Sequence, residues 1–193
     1  MQTLNSKLLL QTLEDETRQL LSFARQLSAA QKTLQQNPVQ GGWSVAQVLE
    51  HLNTYCNYYL PLLTNALAQS PQTSSAAFHP GWLGNYFTKL IQPAQECVAQ
   101  KKMKAAKQHL PAPKPDAKAV LQSFINHQEQ LLTLLQQAAG KDLHAIKIPV
   151  SILPVLKLKT GDIFRFLCAH QQRHLKQINK VLAEVYQPSI TYS

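Results

Sequence analysis

Four stretches of this chain carry apolar side chains three and four residues apart, and proline, glycine or polar loops separate them. That spacing puts the apolar side chains on one face of a helix, a face that has to be buried against other helices. Residues 5–33 form the first stretch, with Leu10, Leu13, Thr17, Leu20, Ala24 and Leu27 in line, ended by "NPVQGG". The second restarts at Trp43. Ser44 and Gln47 make a capping box there, and Val48, His51, Tyr55, Tyr59 and Leu62 form its inward stripe, with Pro61 late in the helix. The third runs over 117–139 between the Asp116 cap and Gly140, its stripe being Val120, Phe124, His127, Leu131, Leu135 and Ala138. The last opens at Thr160 and continues to about Tyr186. A weaker helical stretch, 82–107, is interrupted at Pro93, and the β-branched, proline-containing segment 146–158 reads as an extended connection. The fold class expected is all-α: a four-helix bundle with long connections and an additional helical insert, in a single domain over residues 1–193.

No apolar run approaches the roughly 20 residues of a membrane span, and no signal-like leader is visible. A cytoplasmic protein with no membrane partner is therefore expected. Cys56, Cys97 and Cys168 are odd in number and far apart, which excludes a disulfide framework and a CxxC metal site. They read as small buried thiols. Cys168 sits two residues before His170, about 200° around a helix, and should point away from it. The formal charge is +9, and residues 101–118 hold six lysines against one aspartate. That stretch has no aromatic side chain to stack on bases and no arginine for bidentate contacts. It reads as a solvated helix end and loop, with the proline-rich 111–115 as a stiff linker, and no specific nucleic-acid partner is expected.

The histidines carry the chemistry. His170 and His174 are four apart on the inward stripe of the last helix, and His51 lies on the inward stripe of the second. Buried imidazoles need partners. One reading is a divalent metal held by three neutral nitrogens with a coordination position left open, which suits zinc, nickel, copper or iron. The other is a set of hydrogen-bonded core histidines.

"GGWSVAQVLEHLNTYCNYYLPLL" and "LKTGDIFRFLCAHQQRHLKQI" resemble the signature segments of the DinB-like superfamily of metal-binding four-helix bundles. The matching residues are Trp43, Ser44 and His51, then Thr160, His170 and His174. The segment from Pro111 onward also looks like the family's third core helix, and the region of 70–110 is the least typical. The resemblance implies a three-histidine divalent site at His51, His170 and His174, with zinc or nickel as the expected ion. It implies a metal-dependent enzyme, foremost an S-transferase using a low-molecular-weight thiol such as bacillithiol, and a small-molecule substrate; a mycothiol-dependent isomerase is another characterised activity of the family. A homodimer is also expected. A metal-dependent hydrolase and a non-catalytic metal or small-ligand binding bundle are the alternatives. Hydrolysis would call for a base, for which Glu50, Glu129 and His127 are candidates. His127 otherwise reads as a half-buried structural histidine, Tyr55 and Trp43 as packing residues beside the site, and Arg173 as a partner for an anionic substrate group or for solvent.

Overall fold

In a computed structural model, which describes residues 3–27, 31–73, 75–92 and 104–185, the protein is mostly helical with two small sheets. The helices are α1 (Ser6–Leu27), α2 (Gln31–Leu34), α3 (Val45–Gln69), α4 (Trp82–Ile91), α5 (Ala117–Gln137) and α6 (Thr160–Val185). Of the first helix expected over 5–33, the described residues show α1 up to Leu27 and helical residues again from Gln31; residues 28–30 lie outside the described part. The first part of the insert is helical up to Ile91, just before the expected interruption at Pro93; residues 93–103, with Cys97, lie outside the described part, and a 3₁₀ turn occupies Lys107–His109.

Local sequence sets the helix ends. Ser44 Oγ accepts from Gln47 N–H while the Gln47 side chain accepts from Ser44 N–H, so both orphan donors at the start of α3 are satisfied. Asp116 accepts from Lys118 and Ala119 N–H at the start of α5. Beyond its end, Gly140 turns the chain at φ +74°, a conformation that costs glycine little.

The long helices pack face to face, α1 and α3 each lying against both α5 and α6. Every member of the expected α1 stripe is buried. The apolar interior divides into two clusters. Leu60, Leu63, Leu131, Leu135, Phe164 and Leu167 belong to one; Leu49, Leu52, Leu121, Phe124, Ile178 and Val181 belong to the other. On α3, His51 falls at the junction of the two clusters, and on α6 His170 and His174 do the same. Each fully buried leucine or phenylalanine contributes about 1.5–3 kcal/mol, so apolar packing fixes both helices on either side of the histidines.

The segment 146–158 is more than a connection. It forms a hairpin of β3 (Lys147–Val150) and β4 (Leu153–Lys159), antiparallel, with Ile148 opposite Leu158 and a register shift after Pro149. A two-stranded sheet with two free edges tolerates its prolines. A second antiparallel pair joins β1 (Leu4–Asn5) to β2 (Ala77–Phe78). Phe78 is fully buried against Gly161, where a Cβ would come within 2.6 Å of its ring. α4 docks on α6 through buried Asp162, which accepts from Gly81 N–H at 2.9 Å and faces Arg165 at 3.4 Å. No described helix is long and apolar enough to cross a membrane.

Candidate metal centre

His51, His170 and His174 are all buried, and each points a ring nitrogen at the same place. His170 Nε2 lies 3.3 Å from His51 Nε2 and 3.1 Å from His174 Nε2. The three ligand atoms fall within 4.8 Å of one another, and among the described residues no further cysteine, histidine or carboxylate joins the group. The i, i+4 spacing on α6 stacks two imidazoles on one face, and α3, packed against it, brings the third.

The opposite nitrogens define the tautomers. His51 Nδ1 is 2.6 Å from the carbonyl oxygen of His109. A carbonyl only accepts, so Nδ1 carries the proton and Nε2 presents its lone pair. His174 Nδ1 meets Gln177 Oε1 at 2.8 Å, with the same consequence. His170 Nδ1 has no hydrogen-bond partner. Two lone pairs therefore converge on a third ring nitrogen. A single proton on His170 Nε2 is directed well at only one of them; a cation satisfies all three lone pairs together. Burial holds each imidazole below the ordinary histidine value. His174 falls to about 3 and His170 is held well below that ordinary value, with the neighbouring histidines adding to burial. Neutral imidazoles are the form that ligates metal. The site thus has the donor set, the tautomers and the convergence that a divalent ion requires.

The surrounding residues were legible to differing degrees. The Trp43 ring lies 5.1 Å from that of His51, centroid to centroid, and walls the site from the start of α3. Tyr55 packs 4.5 Å from His170 and 3.8 Å from His109, and burial pushes its phenol up to about 12. His127 is half-buried and bonded to Asn53 Oδ1 at 2.9 Å, a structural role away from the triad. The base candidates are engaged elsewhere. Glu50 accepts from Ala112 N–H at 2.6 Å, and Glu129 pairs with Arg25 at 2.8 Å. Arg173 is half-buried, its charge adding to the pressure on His170 and His174 to stay neutral. Cys168 points toward Thr17 of α1, 3.9 Å away, and not at the histidines. Burial raises its thiol and that of Cys56, the latter to about 12, so neither is a nucleophile.

His109 is the residue that sequence patterning does not reveal. It sits in the lysine-rich stretch expected to be solvated, yet it is buried over the site. Its ring bonds Thr54 Oγ1 at 2.8 Å and Ser151 Oγ at 2.9 Å, and its carbonyl holds His51. Gln47 Nε2 donates to the carbonyls of Ala112 and Pro113. Gln47, Glu50 and His51, on the first turns of α3, thus grip the 109–113 segment and fasten it across the histidines. No helical periodicity marks such a segment; its only cue was a lone histidine just before the proline-rich run.

A mostly helical protein with three converging imidazoles at the middle of its interior is suited to hold a divalent metal ion. The family model of the DinB superfamily matches residues 9–178, and the chain belongs to that superfamily. No curated protein and no solved structure matches it.

Proposed function

We propose that the protein is a cytoplasmic metal-dependent enzyme acting on small molecules, with His51, His170 and His174 as the ligands of one zinc or nickel ion on a four-helix-bundle frame. The carrying observation is the convergence of three Nε2 atoms whose ring partners are held by His109 and Gln177 on two of the three rings. Three neutral donors leave the ion's charge uncompensated and a coordination position for an exogenous ligand. Bound there, a divalent ion supplies Lewis acidity that favours the deprotonated form of a small thiol.

The protein's own residues do the rest. The His109 carbonyl and Gln177 hold two imidazoles in the ligating tautomer. Trp43, Tyr55 and the 109–113 segment restrict water. A thiol S-transferase fits this arrangement better than a hydrolase, because the carboxylates nearest in sequence to the site or on the facing helix are tied to Ala112 and Arg25.

The test begins with metal content by mass spectrometry, on protein prepared without a histidine tag or chelating column. About one ion per chain is expected in the wild type, and its loss in His51→Ala, His170→Ala and His174→Ala. Unchanged uptake in His51→Ala would refute the two-helix site. Cobalt-loaded protein titrated with bacillithiol or glutathione should then develop a sulfur-to-metal charge-transfer band that His174→Ala lacks. Turnover of an ester or amide without any such band would favour the hydrolase.

A further inference from the structure

Nine large apolar side chains stand well exposed among the described residues, and six of them lie on two elements, α4 and the β3–β4 hairpin. On α4 they are Trp82, 74% exposed, Tyr86 and Leu90, four residues apart and so on one face of the helix. The other face, with Gly84, Thr88 and Ile91, is buried, Gly84 against Asp162 of α6. On the hairpin they are Ile152 at the turn, then Leu153 and Val155, the last 81% exposed. Leu153, Val155 and Lys157 alternate onto the outer side of β4, while Leu158 turns inward. The two sets adjoin. α4 packs against β4, and Phe87 of α4 meets Ile152 and Leu158 around a small cavity. Leu90, three residues on, stands next to Phe87 on the helix surface. Single exposed apolar residues are ordinary, but a contiguous set marks a surface that something covers.

The charges select the partner. α4 and the hairpin hold Lys89, Lys147, Lys157 and Lys159, and no aspartate, glutamate or arginine. The first three are exposed, and Lys159 donates to the His79 carbonyl at 2.7 Å. Carboxylates on neighbouring elements are turned away. Asp162 is fully buried, Asp142 is held by His144, and Glu16 of α1 lies with Thr88 on the far flank of α4. A second copy would set lysine against lysine, which is costly. Protein interfaces favour arginine and are poor in lysine. An anionic bilayer surface suits the whole set: tryptophan and tyrosine at the headgroup level, aliphatic side chains just below it, and lysines whose stems carry the charge to the phosphates.

We propose that the outer face of α4 and the hairpin turn dock this protein on anionic lipid bilayers, with Trp82 and the Ile152–Val155 turn entering the interface and Lys89, Lys147 and Lys157 meeting the headgroups. Hydropathy along a chain detects spans as single apolar runs; a docking face assembled from two separate elements leaves no such run. The face holds none of the three histidines and does not depend on a metal.

The test is cosedimentation of the full chain with vesicles of phosphatidylcholine alone and of equal parts phosphatidylcholine and phosphatidylglycerol. Saturable binding to the mixed vesicles is expected, and weaker binding to phosphatidylcholine alone. Lys147→Gln with Lys157→Gln should lose about fivefold per lysine on the mixed vesicles. Lys104→Gln with Lys107→Gln, in the basic stretch outside the face, should bind almost as well as the wild type. Leu153→Ser with Val155→Ser, checked for its fold by circular dichroism, should lose about tenfold or more. Lipids brominated in their acyl chains should quench the bound wild type and leave Trp82→Phe, whose remaining tryptophan is Trp43 beside His51, unquenched. No binding to the mixed vesicles would overturn the proposal. So would binding without quenching, or binding that the serine variant keeps in full, since either is charge attraction alone; the quenching result stands even if that variant failed to fold. A dimer in sedimentation velocity that the serine variant disperses, without vesicle binding, would assign the face to a second copy and overturn it as well.

Discussion

His174 depends on a residue one turn along its own helix. Gln177 Oε1 takes the Nδ1 proton at 2.8 Å and so keeps the Nε2 lone pair aimed at the other two rings. Removing such a partner of a ligating histidine costs about 10–100-fold in metal affinity. Gln177→Leu should therefore retain metal but yield it to a competing chelator at a concentration lower by about that factor; an unchanged competition curve would show that Gln177 does not set the tautomer. The equivalent support for His51 comes from a main-chain carbonyl. A His109 side-chain substitution should consequently spare metal stoichiometry while loosening the packing on Tyr55. At this scale the three histidines were legible in the sequence because helical spacing alone puts them inward. Their partners were not. Gln177 is an ordinary polar helix residue until the His174 ring is seen to converge with the other two, and His109 acts through an atom that every residue possesses.

The elements outside the long helices do the positioning. α4 is held to α6 by a close approach at Gly84, where a Cβ would lie 2.2 Å from Asp162 Cγ. Asp162 is itself buried and bonded to Gly81, so it has little room to yield. Gly84→Ala should displace α4 and destabilise the protein by about 1–3 kcal/mol, the usual cost of overpacking, read as a lower midpoint in urea unfolding. An unchanged midpoint would show that α4 is not docked through this contact. Stripe periodicity gave the long helices nearly to their ends, and the capping box at Ser44 and the cap at Asp116 appear as read. On α5 the stripe is rotated slightly: Gln128, not His127, is fully buried, because an apolar count gives a glutamine no weight. The hairpin escaped notice for a related reason. Two prolines within thirteen residues argue against a strand, yet a two-stranded ribbon has free edges on which prolines can lie.

Across the whole molecule, the two apolar clusters stand on either side of the histidines and do not include them. Folding therefore draws its main driving force from burial that does not depend on an ion, unlike a zinc finger, whose ion replaces a core. An ion bound at the three imidazoles would still favour the native state by mass action, by about 2.7 kcal/mol when free metal is 100 times the dissociation constant. For a chain of this size each kcal/mol moves the thermal midpoint by roughly 2–4 °C. Chelation should thus lower the midpoint by about 5–11 °C and leave the far-ultraviolet circular dichroism of a mostly helical protein in place. The shift should shrink as free metal is reduced and vanish in His170→Ala, since that variant has no site for the ion to stabilise. Loss of the helical spectrum on chelation would mean that the three imidazoles are structural, with the coordination position serving no substrate. A chelated protein that stays folded, rebinds one ion and recovers its midpoint has the behaviour of a preformed scaffold built around a removable metal.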